Sequence, residues 1–461
     1  MESIKQTAIT LDRNIYPRKS MDGATTQAYR TAIEAGANFP PIVVQRVMNY
    51  NEEKPEQIFT LLIDGAHRWS AHKKSEIIDC QFWRDETLDY QESKHDLLWA
   101  SYALNAENAK NLTNKDKKLV ARRVAENTPG LTNTEIADRL GVTPTTIGTW
   151  VADIRARQSA SQQAAIYRLN RLGWTQQEAA DVLGLTQQGV AKITTNSKIG
   201  VSCNSGAQSI EEQAKFHLLD LPTAYAMALE GKDDTEIMED LKINVQPYDV
   251  WHFSKANPMF GLSEYPGKIP GELIAHVLYF FTQPGDTVID PMSGGGTTQD
   301  VCLIMGRKCF AYDVNTENID RLDCMQHNLV EGWPDKIKKA DLIFWDPPYY
   351  NKKHYHEDSV SHATVEDYKV FLSRALREAF LATKGGTRLA FLMSDWDDPE
   401  GGPGAFIWDY TRMIADAGWS LCRHIQVPLS TQQVHPDIVL KFRNGRRLAR
   451  LERYLLIGVK R

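Results

Sequence analysis

The apolar positions of the chain form short runs and helical spacings whose order predicts an α/β protein. Runs at 39–44 (FPPIVV) and 59–69 (FTLLIDGAHRW) predict two buried strands, the second of which turns at a glycine into a helix that begins near His67. Further strands are predicted at 287–290 (TVID) and 340–345 (ADLIFW), and between them a strand that ends at Asp313. Strands that alternate with helices indicate a doubly wound, Rossmann-like sheet in the carboxyl-terminal half, preceded by a small α+β domain and an all-α region.

An internal repeat lies in the middle of the chain. Residues 131–150 (LTNTEIADRLGVTPTTIGTW) recur at 174–193 (WTQQEAADVLGLTQQGVAKI). In each copy a small residue, a glycine and a β-branched residue follow helix-turn-helix spacing. The glycine can take the positive-φ turn, and Thr143 and Thr186 are predicted to cap the second helices. The spaced residues are Ala137, Gly141 and Ile147 in the first copy, and Ala180, Gly184 and Val190 in the second.

The second helix of each copy carries polar residues that could reach DNA. We expect contacts with base edges or phosphates at these positions. The alternative is a pair of helical hairpins that serve only for packing. The expected DNA-binding residues are Thr145, Thr146 and Thr149 in the first copy, and Gln187, Gln188 and Lys192 in the second.

These patterns divide the chain into four predicted segments. Residues 1–104 form the small α+β domain, and residues 105–195 form the helical region with the two repeat copies. Residues 196–245 are predicted to be a linker and short helices, because 194–208 is polar and rich in Gly and Ser. Residues 246–461 are predicted to hold the doubly wound sheet.

The run PPIVV followed by DGAHRWSA resembles the amino-terminal domain of the ParB and sulfiredoxin-like families, and the continuation at 104–127 is similar to ParB. The resemblance implies that Gly65, His67 and Arg68 bind nucleotide phosphate. Ala66 stands where sulfiredoxin has its reactive cysteine, so that redox chemistry is excluded. A purely structural use of this fold, without nucleotide, is the alternative.

A glycine-rich turn follows the strand predicted at 287–290. Three successive glycines let the backbone come close to a nucleotide cofactor, and the acid that ends the next strand can accept bonds from ribose hydroxyls. Alone, this turn does not identify the cofactor. The predicted cofactor-binding residues here are Asp290, Pro291, Met292, Ser293, Gly294, Gly295, Gly296, Thr297, Thr298, Asp313 and Val314.

The strand at 340–345 delivers Asp346, Pro347, Pro348 and Tyr349 at its carboxyl end, where open α/β sheets bind their ligands. This tetrapeptide suits methylation of an exocyclic amine. A carboxylate and the Pro347 carbonyl can accept the two N–H hydrogens and aim the nitrogen lone pair, while the tyrosine can stack on an extruded base. A turn without chemistry is the alternative.

Together, DPMSGGGTT and DPPY resemble the DNA amino-methyltransferases that act on adenine N6 or cytosine N4. The resemblance implies S-adenosylmethionine as cofactor, double-stranded DNA as substrate, and cofactor contacts from Lys268, Ile269 and Pro270. DPPY favours adenine over cytosine. Because a separate target-recognition domain is not evident, we expect the repeat copies, or the loops at 351–367 and 428–450, to select the site.

Charge and composition limit the remaining options. With 53 basic and 59 acidic residues the net charge is −6, so nucleic acid must bind locally, at the basic stretches near 115–123 or 441–461. Six scattered cysteines indicate reduced thiols. No metal is expected, even at His354, His356, Asp358 and His362, since methyl transfer needs none.

We expect no membrane segment and a cytoplasmic, nucleoid-associated protein of a bacterial or phage-infected cell. The domain combination resembles orphan methyltransferases of bacteriophages. The oligomeric state stays open, with a homodimer among the options. Two rival functions also stay open: a partition or regulatory DNA-binding protein whose carboxyl-terminal half only senses cofactor, and a methyltransferase that acts on RNA.

Overall fold

A computed structural model describes residues 2–18, 20–74, 76–107, 112–196, 201, 209–253, 256–265, 267–315, 321–348, 364–395, 407–428, 436–446 and 452–461. The chain divides into two compact units, Met1–Ser159 and Ala160–Arg461. One helix, α6 (Pro144–Arg171), begins in the first unit and ends in the second. Among the described residues, no helix combines the length and apolar character needed to cross a membrane.

The first unit holds a mixed sheet of six strands. Its order is β1-β5-β3-β4-β2, and β6 pairs with β3. The strands are β1 (Glu2–Lys5), β2 (Ile9–Thr10), β3 (Ile42–Met48), β4 (Phe59–Asp64), β5 (Ile77–Phe82) and β6 (Leu88–Asp89). The helices are α1 (Gly23–Glu34), α2 (Ala66–Ala71), α3 (Tyr90–Glu107), α4 (Asn114–Asn127), α5 (Asn133–Leu140) and the start of α6.

The first repeat copy shares a core with this sheet. Ile136 and Ile147, one from each helix of the pair, are fully buried in the same cluster as Leu61 and Ile63 of β4. Gly141 ends α5 with φ of 60°, and the Thr143 hydroxyl accepts a bond from the Thr146 amide at 3.2 Å. The predicted turn and cap are therefore present.

The second unit holds a seven-stranded sheet with the order β12-β13-β11-β10-β7-β8-β9. Its strands are β7 (Thr287–Asp290), β8 (Lys308–Asp313), β9 (Cys324–Gln326), β10 (Leu342–Trp345), β11 (Arg388–Met393), β12 (Ser420–Gln426) and β13 (Tyr454–Val459). Its helices after α6 are α7 (Gln176–Leu183), α8 (Gln187–Asn196), α9 (Ile210–His217), α10 (Leu221–Ala228), α11 (Asp234–Asp240), α12 (Gly271–Phe281), α13 (Thr297–Ile304), α14 (Val365–Ala382), α15 (Ile407–Asp416) and α16 (Pro436–Asn444).

The strand order confirms the predicted doubly wound fold. β10, β7, β8 and β9 are parallel neighbours, β10 and β11 are also parallel, and β13 runs antiparallel between β11 and β12. The crossover through α13 moves from β7 toward β9, whereas the crossover through α14 moves from β10 the other way. Because such crossovers are right-handed, the two helices cover opposite faces, and the order reverses between β7 and β10.

The observed division differs from the four predicted segments, because the second repeat copy belongs to the carboxyl-terminal unit. Trp174, Ala180 and Val190 are buried in the same cluster as β7, β8 and β10. The Leu172 carbonyl accepts a bond from the Cys309 amide of β8 at 3.0 Å. Residues 209–245, which include the short helices α9, α10 and α11, also contribute buried apolar side chains to this cluster. The contributors are Ala226, Leu229, Ile237, Met238 and Ile243. Of the predicted linker, residues 197–200 and 202–208 lie outside the described residues.

Candidate active site

The predicted acids meet at the point where the strand order reverses. Asp290 ends β7, and Asp346 follows β10 directly, with Ile343 opposite Ile289 in the parallel register. On the other side Asp290 lies opposite Ala311, so that Asp313 lies two residues further along β8. The sheet therefore presents three carboxylates at one carboxyl-terminal edge, which is where open α/β sheets bind ligands.

The electrostatics of this edge favour a cation. The pKa of Asp290 is raised to about 7, chiefly by burial and also by the nearby charges of Asp346 and Asp313, while bonds from Thr298 and the Met292 amide oppose the shift. Asp290 is 3% exposed. A ligand with positive charge would favour the ionised form of this carboxyl group. These three carboxylates therefore suit a ligand that carries positive charge or hydroxyl groups.

The glycine-rich turn is bonded to the end of β8. One Asp313 oxygen accepts a bond from the Gly294 amide at 2.9 Å, and the other accepts one from Asn315 at 3.1 Å. The Ser293 amide donates to the Tyr312 carbonyl at 2.8 Å. Asp313 therefore fixes the glycine turn to the end of β8.

Protein side chains occupy the space beside these glycines. A Cβ atom on Gly294 would lie 2.6 Å from the ring of Tyr265, and a Cβ atom on Gly296, where φ is 85°, would collide with the Arg321 guanidinium. We expected the glycines to admit a ligand. In the structure the absence of side chains lets Tyr265 and Arg321 contact the turn. Neither residue was singled out from the sequence, because nothing local links them to it.

Lys268, Ile269 and Pro270 lie just before α12, next to the same turn. Ile269 and Pro270 are buried, and the Lys268 ammonium donates to the Gly261 carbonyl at 3.3 Å. Burial lowers the pKa of Lys268, although Asp300 and Glu272 oppose this effect. The Leu262 amide donates to the Gly295 carbonyl at 2.8 Å. The segment before α12 is thus hydrogen-bonded to the glycine turn.

The residues after β10 are held by a side chain that the sequence did not indicate. The hydroxyl of Tyr368, which is fully buried on α14, donates to the Pro348 carbonyl at 2.9 Å. Pro347 is buried and Asp346 is partly exposed. Tyr349 and most of the loop at 351–367, with its histidines, lie outside the described residues. Among the described residues, no group of three or more acids, histidines and cysteines could hold a metal ion.

The candidate DNA-binding residues lie on the exposed sides of the two helix pairs. Thr145, Thr149, Gln187, Gln188 and Lys192 are exposed. Thr146 differs, because its hydroxyl is hydrogen-bonded to the Thr143 hydroxyl at 2.8 Å and so helps to cap α6.

The two side chains expected to bind nucleotide phosphate have partners inside the first unit. Arg68 donates to the Pro40 carbonyl at 2.5 Å and to Asp64 at 3.4 Å. The His67 ring accepts a bond from the Asp22 amide at 3.0 Å. Gly65 adopts a φ of 91°, and a Cβ atom there would lie 2.7 Å from Ile42. These contacts favour the structural alternative for this turn.

Comparison with known proteins points to one reaction class. The family model described as DNA methylase (N6_N4_Mtase) matches residues 220–322. The DNA adenine methyltransferase YhdJ of Escherichia coli is 33% identical over 98 residues, which cover 20% of this chain and 33% of that protein. The type II methyltransferase M.BglII of Bacillus subtilis is 28% identical over 127 residues, which cover 26% of this chain and 34% of that protein. The alignments thus span about a third of each relative's length.

Solved methyltransferase structures are also similar, at low scores. A TehB-like SAM-dependent methyltransferase from Corynebacterium glutamicum gives a TM-score of 0.27 at 14% identity, over 42% of this chain and 90% of that one. A methyltransferase from Pyrococcus furiosus gives a TM-score of 0.28 at 16% identity, over 49% of this chain and 96% of that one. Similarity at this level decides nothing about the reaction.

Proposed function

We propose that this chain transfers a methyl group from S-adenosylmethionine to the N6 amino group of adenine in double-stranded DNA. The observation that carries the proposal is the position of Asp346 and Pro347 at the sheet edge, beside Asp290 and the glycine turn. The matched DNA methylase family supports the same reaction class. Adenine is preferred because DPPY begins with Asp and because YhdJ is named an adenine methyltransferase.

The chain's own groups would activate the acceptor nitrogen. An exocyclic amine is a weak nucleophile, because its lone pair is delocalised into the ring. Asp346 and the Pro347 carbonyl would each accept one N–H, which favours a pyramidal nitrogen whose lone pair points away from both acceptors. Tyr368 would keep the two prolines in place, and Tyr349 would stack on the extruded base. Asp346 would also accept the proton that the nitrogen releases.

The three carboxylates would hold the cofactor at the reversal point. S-adenosylmethionine supplies a methyl group on a positively charged sulfur, so no covalent nucleophile of the protein is required. Asp313, at the end of β8, would accept bonds from ribose hydroxyls, and Asp290 would lie close to the positive charges. Lys268, Ile269 and Pro270 would line the opposite wall.

The test uses the purified full chain, unmethylated duplex DNA and S-adenosylmethionine with a labelled methyl group. Mass spectrometry of the digested deoxynucleosides should find the label on N6-methyldeoxyadenosine. Asp346→Asn should lower kcat at least about a hundredfold, because it removes an acceptor that acts in the transition state, and should change the affinity for DNA far less. Label on N4-methylcytosine would establish the alternative base.

The same experiment separates the proposal from its rivals. A regulatory protein that only senses cofactor would bind S-adenosylmethionine and DNA but leave no label on any base. An RNA methyltransferase would label RNA in preference to duplex DNA. Either outcome would refute the proposed methylation of adenine in DNA.

For DNA binding, we infer that the first repeat copy is the main anchor and the second copy is chiefly structural. Helix α4, beside the first copy, carries exposed Lys115 and Lys118. The Lys117 ammonium lies 3.8 Å from the position that a Cβ atom on Gly141 would take, so it is next to the turn of the helix pair. Exposed lysines beside such a turn suit contacts with DNA phosphates.

The basic side chains around the second copy are used within its own unit. Lys336 forms an ion pair with Glu178 of α7 at 2.5 Å. Arg168 and Arg171, at the end of α6, form ion pairs with Asp323 at 2.7 Å and Glu230 at 3.3 Å. Lys192 is the exposed cation on α8. The second copy therefore offers fewer positive charges to a phosphate backbone.

Substituting Gln for the three α4 lysines tests this inference. The slope of the logarithm of DNA affinity against the logarithm of salt concentration should decrease in magnitude by about 2 to 3, because each lost phosphate contact removes close to one released counterion. Lys192→Gln is the matched control and should change the slope by less than about 1. If Lys192→Gln has the larger effect, the second copy is the anchor. Resemblance to ParB and to phage orphan methyltransferases is consistent with such a DNA-anchoring unit and remains a prediction.

A further inference from the structure

We propose that Arg168, at the end of α6, is a positioning residue for the cofactor-binding turn. It would act through Asp300, Asp323 and Arg321, a set that we call the arginine–aspartate cage. The inference rests on the proposed function, because it concerns the affinity for S-adenosylmethionine. No motif of the carboxyl-terminal half contains Arg168, which lies more than a hundred residues earlier in the chain.

The cage joins two arginines and two aspartates, and Arg168 also forms an ion pair with Asp220, outside the cage, at 3.3 Å. Arg168 donates to Asp323 at 2.7 Å and also to Asp300. Arg321 donates to Asp323 at 2.9 Å and to Asp300 at 2.8 Å. Each aspartate thus bridges both arginines. The side chains are 13% exposed for Arg168, 10% for Arg321, 4% for Asp300 and 2% for Asp323.

The cage is bonded directly to the backbone of the cofactor site. Arg321 donates to the Gly295 carbonyl in the glycine turn at 3.3 Å. Asp300 accepts a bond from the Gly261 amide at 2.6 Å, and the Gly261 carbonyl accepts a bond from the Lys268 ammonium. Both walls of the predicted cofactor site are therefore attached to cage residues.

Each cage member depends on its opposite charges. Burial opposes the charge on Arg168, but Asp323 and Asp300 outweigh it and raise its pKa. Burial likewise opposes the charge on Asp300, and Arg321 and Arg168 outweigh it and lower its pKa. Removing Arg168 would leave two buried carboxylates with a single arginine. Arg321 would then be the one arginine that pairs with both aspartates. Its bond to the neutral Gly295 carbonyl would be lost first, because losing that bond costs less free energy than losing an ion pair with a buried aspartate.

Arg171 provides a matched control on the same helix. It lies one turn further along α6, donates to the Leu303 carbonyl at 2.8 Å and pairs with Glu230 at 3.3 Å. Its side chain is 18% exposed, close to that of Arg168. It attaches α6 to the end of α13, and within the described part of the chain its hydrogen-bond partners do not include the cage aspartates. Loss of Arg171 should therefore disturb packing without moving the turn.

The experiment titrates S-adenosylmethionine into the full chain by calorimetry, for the wild type, Arg168→Met, Arg168→Lys and Arg171→Met. Arg168→Met should weaken cofactor binding about tenfold or more, and Arg168→Lys should recover part of the loss because it restores one charge. Arg171→Met should stay within about twofold of the wild type. With DNA as substrate, the KM for cofactor should rise in Arg168→Met while kcat at saturating cofactor changes much less.

Thermal unfolding without cofactor completes the design. If Arg168→Met and Arg171→Met lower Tm equally and weaken binding equally, Arg168 has only a structural role and the proposal is wrong. Binding of Arg168→Met within about twofold of the wild type would also overturn it. Should Arg168→Met fail to fold, Arg168→Lys decides, since unchanged cofactor affinity there contradicts the proposal. A wild type that binds S-adenosylmethionine but methylates nothing would refute the proposed function and leave this inference standing.

Discussion

The raised pKa of Asp290 makes cofactor affinity depend on pH in a direction that the structure fixes. In the protein without ligand the pKa is about 7, because Asp290 is buried beside Asp346 and Asp313. At about pH 6 roughly nine in ten of these carboxyl groups are therefore protonated. A cationic ligand prefers the ionised form, so binding must release a proton at this pH. Affinity should rise with pH and level off above 7.

The size of the effect follows from the two protonation states. We assume that the bound cation lowers the pKa of Asp290 to near 4. Only protonation of Asp290 in the free protein then weakens binding, and the affinity for S-adenosylmethionine should increase about eightfold between about pH 6 and pH 7.5. The range ends there because the cofactor's own amino group titrates near 7.7 to 8. Without a perturbed carboxyl group, the affinity would be flat over this interval.

Calorimetric titration of S-adenosylmethionine at several pH values measures this effect directly. Repeating the titration in two buffers of different ionisation enthalpy counts the protons released. Asp290→Asn keeps the shape and the acceptor for the Met292 amide, and should give a weaker but pH-independent affinity. Asp286→Asn, at the opposite end of the same strand, is the control and should keep the wild-type slope. A slope that survives in Asp290→Asn, or a wild type without proton release, refutes the reasoning.

Three further predictions concern catalysis and stability. Tyr368→Phe should lower kcat about two- to tenfold at unchanged cofactor affinity, because it removes one hydrogen bond to the Pro348 carbonyl; steady-state kinetics will show this. Arg307 is fully buried and bonded to Asp234, Thr282 and three carbonyls. Arg307→Met should therefore lower the free energy of unfolding by about 3 to 5 kcal/mol, as measured by chemical denaturation. Gly141→Ala, at φ of 60°, should lower stability by about 1 to 2 kcal/mol in the same assay, whereas Gly148→Ala, inside α6, should not.

Local patterns in the sequence were enough to predict the elements around the site. The strand at 287–290 and the strand end at Asp313 appear where the apolar runs placed them, and the two helix pairs turn at Gly141 and Gly184. These features depend on neighbours within a few residues. A short apolar run bounded by a glycine turn carries its own signal.

The parts that could not be predicted depend on partners far apart in the chain. The two repeat copies have similar sequences, yet one packs against β4 and the other against the doubly wound sheet, because the partner surfaces lie elsewhere. Glu178 and Lys336 are separated by 158 positions, and Tyr368 lies 20 residues beyond the proline whose carbonyl it binds. Spacing and periodicity within a motif contain no information about such contacts.

The bond from the Cys309 amide to the Leu172 carbonyl limits how this protein can be recombined in evolution. A gene fusion that began just before Lys268 would inherit every methylation motif recognised in the sequence, yet it would leave the Cys309 amide without its acceptor and two aspartates without their second arginine. The heritable module must start near residue 160, inside a continuous helix. Exchange of domains between related genes should therefore preserve the second helix pair even where the first has been replaced.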